Sequence, residues 1–271
     1  MRDFGIVLEE GMSVLMLRTQ GGFCNRIRAI VSAVLWAEDT DRKLAVYWPV
    51  EPGHLPCRLD DLLERGSIPR LCCVHDGYLS KAHAVQSVED MESVLRLFGG
   101  SEEIRIESYS AFHPEAKKER GLVVLRGLRF AANLEEEAEK RWKEIGGSSA
   151  WTAIHFRGTD HRKCLAASPL EAFFKVLEVE DAEWRQFYLA TDEDCVKEVF
   201  AERLWKGHVT WTAFPQGRRT EEQQKAGVVE WLLLQKCSRI LASAGSTFSE
   251  WAALRSGSKL IEVKKEEENG H

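Results

Sequence analysis

The sequence predicts an α/β fold with two parallel-sheet halves that face each other across a cleft. From about Ser149 onward, short apolar runs alternate with helical patterns, which is the order typical of a parallel sheet. The chain also opens with a strand, a Gly21-Gly22 turn and a helical run. We expect Gly146-Gly147-Ser148-Ser149 to be a linker between an N-terminal domain, 1–147, and a C-terminal domain, 148–271. Ligands should then bind at the carboxyl ends of the strands.

The C-terminal half contains five strand candidates, each an apolar run bounded by turn or polar residues. They cover 152–156, 186–190, 208–214, 239–243 and 259–263. Helical spacing of apolar residues predicts helices between them, and Ser168-Pro169 suits a helix start. These helices cover 170–177, 192–204, 221–237 and 250–254. The run 228–234 is almost entirely apolar, so the third of these helices should be largely buried.

The N-terminal half is less regular after its opening unit. That unit is a strand over 13–18 followed by a helix over 25–38. Later segments predict a strand over 43–48, a short helix over 58–64, weaker strands over 103–107 and 122–125, and a charged helix over 134–145.

Composition excludes several classes of protein. The 271 residues are 44% hydrophobic and 30% charged, which is typical of a folded globular protein. The net charge of −6 argues against a broad basic surface for nucleic acid. The sequence has no apolar run long enough for a membrane-spanning helix and no signal peptide, so we expect a cytoplasmic protein. A leader or anchor missing from the chain would instead place it in the lumen of the secretory pathway.

The seven cysteines form no CxxC pair, which disfavours zinc-ribbon and redox-motif proteins. Two clusters with metal-ligand spacing are also missing. We therefore expect free thiols in a reducing compartment and no bound metal.

The run His155-Phe156-Arg157-Gly158-Thr159-Asp160 places an imidazole and a guanidinium at alternate positions where a buried strand ends. Both side chains should leave the same face of the sheet. A guanidinium holds two phosphate oxygens at once and stays charged at any relevant pH, so Arg157 is a candidate phosphate ligand. The structural alternative is an ion pair between Arg157 and a local carboxylate such as Asp160.

A second candidate is Ser246-Thr247-Phe248-Ser249, which follows the strand 239–243 and opens a helix. Hydroxyls and backbone N–H groups at a helix start form a phosphate cradle. The alternative is an ordinary N-cap by Ser246 or Thr247, and the two roles are compatible.

A third candidate is the turn Gly21-Gly22-Phe23-Cys24-Asn25-Arg26. It lacks the spacing of GxGxxG and of the GxxxxGK[ST] loop, which disfavours dinucleotide-dependent dehydrogenases and P-loop enzymes. Glycines here permit a ligand to approach the backbone closely, and a plain tight turn explains them equally well.

In this order, the runs His155 to Asp160, Tyr188 to Asp192 and Thr247 to Ser249 resemble three signatures of one superfamily. It comprises the α1,6-fucosyltransferases, nodulation fucosyltransferases and protein O-fucosyltransferases. The Gly21 to Arg26 loop resembles the N-terminal GGxxNR-type loop of the same superfamily. The similarity covers nearly all of the C-terminal half and the first strand, loop and helix.

This resemblance implies a GT-B fold of two Rossmann-like halves and a metal-independent, inverting transfer of fucose from GDP-fucose to a glycan or protein hydroxyl. The N-terminal half would lie on the acceptor side, with Gly22 and Asn25 in a substrate-binding loop. The C-terminal half would bind the donor. No cofactor is implied.

The resemblance also implies roles for individual donor-site residues. Arg157 would bind the β-phosphate and the bridging oxygen, and His155 would lie by the nucleoside. The residues that wrap the diphosphate would be Ser246, Thr247, Phe248 and Ser249. Glu230 would accept the guanine N1 and N2 hydrogens, because a carboxylate offers two acceptors to that edge. Without this role, Glu230 would be an exposed helix acid and Asp192 a helix N-cap.

The chain departs from the core α1,6-fucosyltransferases at two places. It has Gly158 where they have a second arginine, and Cys164 or Leu165 where they have an acid. The catalytic base is therefore left open among Asp160, His161 and an acid of the N-terminal half. Two alternative functions also stay open, namely a GDP-sugar-binding module without catalysis and a GT-B transferase that uses another nucleotide sugar.

Overall fold

The structure is a computed structural model that describes residues 12–158, 162–179, 186–204, 208–215 and 220–265. It divides into two compact units, 1–130 and 131–271. Each unit contains a five-stranded sheet with helices between the strands, so the predicted α/β class is confirmed. Every strand pairing recorded among these residues is parallel.

The first unit has the strand order β3-β2-β1-β5-β4. Its strands are β1 Val14–Thr19, β2 Lys43–Tyr47, β3 Leu71–His75, β4 His83–Ala84 and β5 Glu103–Ser108. Its helices are α1 Phe23–Asp39, α2 Val88–Phe98 and α3 Lys118–Gly127. Single 3₁₀ turns cover Leu59–Asp61, Arg65–Ser67 and Glu115–Lys117.

The burial of the strands and helices of the first unit fits their positions in the sheet. Strand β1 is the central strand and is almost fully buried, so an unbroken apolar run suits it. Helix α1 follows β1 directly and packs against β1 and β2. Helix α2 begins with a capping box in which Ser87 and Asp90 each accept a backbone N–H of the other.

The second unit has the strand order β10-β9-β6-β7-β8. Its strands are β6 Thr152–Phe156, β7 Phe187–Thr191, β8 Val209–Thr210, β9 Arg239–Ser243 and β10 Lys259–Val263. Its helices are α4 Ala132–Glu144, α5 Arg162–Ala167, α6 Leu170–Val179, α7 Asp194–Arg203, α8 Glu221–Leu234 and α9 Thr247–Ser256. The strands β6 and β7 are buried at every position.

Most of the predicted elements of the second unit are confirmed. The strands 152–156, 239–243 and 259–263 have the predicted bounds. The candidate 208–214 shortens to β8, which pairs with β7 at the sheet edge. An edge strand has one neighbour, so its length depends on pairing that an apolar run does not specify.

The strand predicted over 122–125 is wrong, because these residues lie in α3. Val124 and Leu125 are buried while Val123 is 72% exposed, which is the pattern of a helix packed on one side. A run of four apolar residues does not distinguish a strand from a buried helix segment.

The glycines of the predicted linker form a structured helix end. After α4, the N–H of Gly147 donates to the carbonyl of Trp142 at 2.9 Å and that of Gly146 to Lys143 at 3.0 Å. Gly146 has φ of +67°, so the pair forms a Schellman motif. Helix α4 packs against α8 and lies in the second compact unit.

None of the helices in the described part of the chain combines the length and the apolarity that crossing a membrane requires.

We expect Gly147→Ala to destabilise the protein more than Gly146→Ala. A Cβ at residue 147 would lie 2.3 Å from the Trp142 ring, whereas a Cβ at residue 146 would meet nothing within 4 Å in the described part of the chain. Overpacking of that kind costs about 1–3 kcal/mol. The left-handed φ of Gly146 should cost alanine roughly 1 kcal/mol. Urea unfolding measures both, and a smaller loss for the residue 147 variant would contradict the packing of Trp142.

Candidate functional site

Three adjacent strands bring the predicted donor-binding residues of the second unit together. The strand β6 lies between β7 and β9, and all three are parallel. Their carboxyl ends therefore share one edge of the sheet. Arg157 follows β6, Asp192 follows β7, and the segment 244–249 follows β9.

Arg157 is attached to both neighbouring strand ends. Its backbone N–H donates to Oγ of Ser243 at 3.0 Å, and its side-chain Nε lies 3.6 Å from Oδ2 of Asp192. The other carboxylate oxygen of Asp192 accepts the N–H of Gly158 at 2.7 Å. The side chain of Arg157 is 16% exposed and that of Asp192 is 26% exposed. The end of β6 is thus tied to both neighbouring strands, and the guanidinium lies beside the Asp192 carboxylate.

Asp192 does not cap the helix that follows β7, as one interpretation of the sequence expected. The N-cap of α7 is Glu193, and the carboxylate of Asp192 turns to Arg157 and Gly158 instead. The acid expected to pair with Arg157 in the alternative interpretation, Asp160, lies outside the described residues, as do Thr159 and His161.

His155 lies in β6, two residues before Arg157, and is more deeply buried than Arg157. It is 5% exposed, and its ring centroid lies 5.1 Å from that of Phe248, with 34° between the ring planes. Phe248 belongs to the first turn of α9. The structure thus brings His155 and the start of α9 into direct contact.

The N-terminus of α9 faces the same edge of the sheet. Ser246 is the N-cap by its extended backbone, but its side chain makes no capping hydrogen bond. Ser249 Oγ donates back to the carbonyl of Ser246 at 3.3 Å. Trp231 Nε1 donates to the carbonyl of Phe248 at 2.8 Å, which fixes the first turn against α8. Backbone N–H groups of a first turn and the helix dipole together favour an anion.

The turn between β9 and α9 is fixed by two residues that the sequence does not single out for this role. Ser168 Oγ accepts the N–H of Ala244 at 2.8 Å and donates to the carbonyl of Val263 at 2.5 Å. Glu262 accepts the N–H of Gly245 at 3.1 Å, and this hydrogen bond is the main reason why the pKa of Glu262 is lowered. Gly245 has φ of +73°, a conformation that favours glycine.

Glu230 lies on α8 and is not an exposed helix acid. It is partly buried between Val229 and Trp231, which are both buried. The pKa of its carboxyl is raised from 4.5 to about 8. Desolvation is the main cause, Lys197 opposes it, and the negative charge of Asp192 adds to it. Glu230 and Arg157 therefore share Asp192 as a charged neighbour.

Two buried polar neighbours complete the surroundings of Glu230. Lys197 is 7% exposed and its ammonium lies 2.6 Å from Oδ1 of Asp194. Tyr188 is fully buried and its hydroxyl lies 3.3 Å from that of Thr212. Burial raises the pKa of Tyr188, and the nearby charge of Glu230 raises it further.

The glycine turn of the first unit has separate roles for its two glycines. Gly21 has φ of +76°, and a Cβ there would lie 2.8 Å from Nδ2 of Asn25. Gly22 is the N-cap of α1 with an extended backbone, and a Cβ there would meet no described atom within 4 Å. The turn itself therefore requires Gly21, while the backbone at Gly22 borders open space.

Arg26, which the sequence marks only as the end of this loop, holds the loop in place. Its guanidinium donates to the carbonyls of Gly21 at 2.9 Å and Pro49 at 2.7 Å, and to Glu51 at 3.1 Å. It is fully buried and stacks 4.9 Å from the Trp48 ring. Because the buried guanidinium is used up in these contacts, its role is structural. Desolvation lowers the pKa of Arg26 to about 10.

The departures from the α1,6-fucosyltransferase pattern have a structural context. A Cβ at Gly158 would lie 2.6 Å from the side-chain Cδ of Glu193, so a larger residue here would displace Glu193. Cys164 is 3% exposed, and Leu165 packs against the apolar core. In the described ranges, no group of three or more His, Cys, Asp and Glu side chains is arranged to hold a metal ion.

We expect Glu230→Gln to stabilise the protein at alkaline pH. Because the folded-state pKa lies above the ordinary 4.5, Glu230 favours folding most when protonated, and this contribution is lost as pH rises from 4.5 through about 8. Each pKa unit corresponds to about 1.4 kcal/mol, and partial exposure reduces the total to roughly 2 kcal/mol at pH 9. Urea unfolding of both proteins at pH 5 and pH 9 tests this, and equal stability differences at the two pH values would contradict it.

No protein-family model matches the chain, and no curated protein matches it in sequence. Solved structures match it in fold. The fucosyltransferase NodZ from Bradyrhizobium aligns with a TM-score of 0.67 at 14% identity, over 93% of this chain and 94% of NodZ. POFUT1 in complex with GDP-fucose aligns with a TM-score of 0.61 at 13% identity, over 95% of this chain and 99% of POFUT1.

A FUT1 variant from Arabidopsis thaliana in complex with GDP aligns with a TM-score of 0.69 at 13% identity, over 97% of this chain and 72% of FUT1. NodZ is an α-1,6-fucosyltransferase, one of the activities in the superfamily that the sequence motifs resemble. The chain has the α/β fold with two Rossmann-like halves that is found in the GT-B fucosyltransferases.

Proposed function

We propose that this chain transfers fucose from GDP-fucose to a hydroxyl of a glycan or protein, with inversion and without a metal ion. One observation carries the proposal. Arg157 and the N-terminus of α9 lie at the same sheet edge, joined through the hydrogen bond from Arg157 N–H to Ser243. A guanidinium and a helix N-terminus at one place are suited to a diphosphate.

The reaction breaks the bond between the fucose anomeric carbon and the β-phosphate oxygen. Negative charge grows on that oxygen as the acceptor oxygen attacks the opposite face of the sugar. Arg157 would neutralise this charge, and the first-turn amides of Thr247, Phe248 and Ser249 would donate to the diphosphate. The acceptor proton passes to a base or, late in the reaction, to the departing phosphate.

Asp192 would keep the guanidinium in position for this task. Its carboxylate faces Nε of Arg157 and also holds the Gly158 N–H, so it fixes both the side chain and the backbone of the loop. An arginine fixed before the donor binds loses less conformational entropy than a mobile one.

Glu230 would recognise guanine, with His155 beside the nucleoside. An ionised carboxylate accepts the guanine N1 and N2 hydrogens together, whereas adenine presents no matching pair of donors. The raised pKa of Glu230 means that binding must also remove a proton at neutral pH.

The loop of the first unit would contribute Gly22 and Asn25 to substrate binding. The open space at Gly22 permits close approach of a ligand to the backbone. The comparisons support this function as a whole, since NodZ soaked with GDP-fucose, POFUT1 with GDP-fucose and FUT1 with GDP share the fold.

Arg157→Ala should lower the rate of GDP-fucose hydrolysis or transfer by roughly 100-fold. One phosphate-directed cation contributes about 3 kcal/mol to stabilising the transition state, which corresponds to that factor. Arg157→Lys should keep part of the rate, because an ammonium retains the charge but not the fork. Initial rates with saturating GDP-fucose measure both.

Arg203→Ala is the matched control, because Arg203 lies on the same unit in an exposed pair with Glu171. It should leave the rate unchanged. Equal rates for the wild type and Arg157→Ala would refute the role of Arg157. Binding of GDP without turnover of any acceptor would favour a non-catalytic GDP-sugar-binding module.

Affinity for GDP should weaken as pH falls from about 8 to 6, by up to roughly tenfold per pH unit. The physical reason is that Glu230, with its pKa near 8, must lose its proton to accept the guanine hydrogens. Titration calorimetry at pH 6, 7 and 8 measures the affinity. Repeating it in buffers of different ionisation enthalpy measures the released proton.

Glu230→Gln provides the control for this pH dependence. Its affinity for GDP should be lower and nearly constant over the same pH range, and its preference for GDP over ADP and UDP should decrease. A wild-type preference for UDP or ADP would instead favour a transferase with another nucleotide sugar. A pH-independent affinity in the wild type would contradict the role of Glu230.

A further inference from the structure

Two neighbouring thiols lie in contact on the edge strand of the first sheet. Sγ of Cys72 and Sγ of Cys73 are 3.8 Å apart on β3. The strand β3 lies at one end of the strand order, and among the described residues β2 is its single partner. These thiols belong neither to the donor-binding residues of the second unit nor to the Gly21 to Arg26 turn of the first unit.

The contact depends on an irregularity in the strand pairing. In a regular strand, consecutive side chains point to opposite faces of the sheet, and their sulfurs would not meet. Here Leu71 lies opposite Leu44 and Cys73 lies opposite Ala45, so Cys72 is the extra residue of a bulge. A bulge leaves one residue outside the regular ladder and re-aims its side chain.

The two sulfurs have different surroundings. Cys72 is exposed, and its thiol donates to the carbonyl of Leu44 at 3.3 Å. Cys73 is partly buried and packs against the apolar cluster of Val14, Met16, Ala45 and Leu79. An oxidant in solution therefore reaches Cys72 first, with Cys73 directly behind it.

The contact also shifts the pKa values of the two thiols in opposite directions. The hydrogen bond from Cys73 is the main reason why the pKa of Cys72 is lowered to about 7, and Lys43 lowers it further. The same contact raises the pKa of Cys73. Near neutral pH, Cys72 thus exists as both thiol and thiolate, while Cys73 stays protonated. The thiol form of Cys72 donates to Leu44, and the thiolate form accepts from Cys73.

We propose that Cys72 and Cys73 form a peroxide-sensitive thiol pair that closes to a reversible disulfide. The Cys72 thiolate attacks a peroxide oxygen, which breaks the O–O bond, gives a sulfenic acid at Cys72 and releases hydroxide. The Cys73 thiol then attacks the sulfur of that sulfenic acid, which forms the S–S bond and releases water. The two sulfurs together lose two electrons, and hydrogen peroxide takes them up.

This disulfide should be easy to reduce. Neighbouring Cα atoms lie about 3.8 Å apart across a trans peptide, which is closer than in ordinary disulfides. The resulting strain raises the reduction potential and places the bond among the labile ones rather than the structural ones.

The test treats the whole chain with hydrogen peroxide at pH 7, blocks the remaining thiols with N-ethylmaleimide and maps the peptides by mass. We expect the peptide that contains both residues to lose two hydrogen atoms and to regain them with dithiothreitol. Cys195, an exposed thiol beside the Glu193 carboxylate, is the internal control and should still react with N-ethylmaleimide. Phenylarsine oxide, which binds two thiols at once, should protect the pair.

Two variants at residue 73 separate the hydrogen bond from the resolving thiol. Cys73→Ser keeps a hydrogen-bond donor, so Cys72 should still react quickly, but its sulfenic acid should persist and react with dimedone. Cys73→Ala removes the donor as well, so the oxidation of Cys72 should slow by roughly threefold, as thiolate fraction and nucleophilicity change in opposite directions. Circular dichroism checks that both variants are folded.

Three results would overturn the proposal. The first is wild-type Cys72 that accumulates as sulfinic acid while Cys73 stays alkylated. The second is a disulfide between two copies of the chain. The third is Cys72 oxidation that is no faster than that of Cys195.

Discussion

The candidate site depends on the order of three parallel strands, β7-β6-β9. Because β6 lies between the other two, its end at Arg157 is next to Asp192 on one side and Ser243 on the other. Two backbone hydrogen bonds to side chains, from Arg157 to Ser243 and from Gly158 to Asp192, fix the three ends to one another. An order in which β6 and β9 were not neighbours would separate the guanidinium from the start of α9.

The charged side chains around this edge of the sheet affect one another's ionisation. Asp192 partly balances Arg157, and the same negative charge makes ionisation of Glu230 less favourable. The buried Lys197 acts in the opposite direction on Glu230. The site therefore holds both signs of charge in partly dry surroundings, where pKa values respond strongly to a bound ligand. Under the proposed function, a guanine base and a diphosphate would each meet the opposite charge.

Much of the second unit was predictable from the sequence, since its strands are short apolar runs bounded by turn residues. Strands β6, β9 and β10 have the predicted bounds, and α8 has the predicted start, marked by the Thr220 capping box. The first unit was harder. The helix α2 was missed although its Ser87 and Asp90 capping box is a local signal. The strands β3 and β4 were not predicted, because β3 is a partly exposed edge strand and β4 has two residues. Such elements form by pairing with neighbours, and their own sequences carry a weak signal.

The sequence by itself determined the α/β class, the strand-end positions of Arg157 and Ser246 to Ser249, and the glycine turn, because periodicity and turn chemistry are local. Only the tertiary structure decided which groups meet. It joined Arg157 to Ser243, which lies 86 positions further along the chain. It made Asp192 an ion-pair partner of Arg157 rather than a helix cap, and it buried Arg26 beneath its own loop. It also brought Cys72 and Cys73 together through a bulge. These contacts depend on strand order and register, which link residues that are distant in the chain and are not encoded in any short segment.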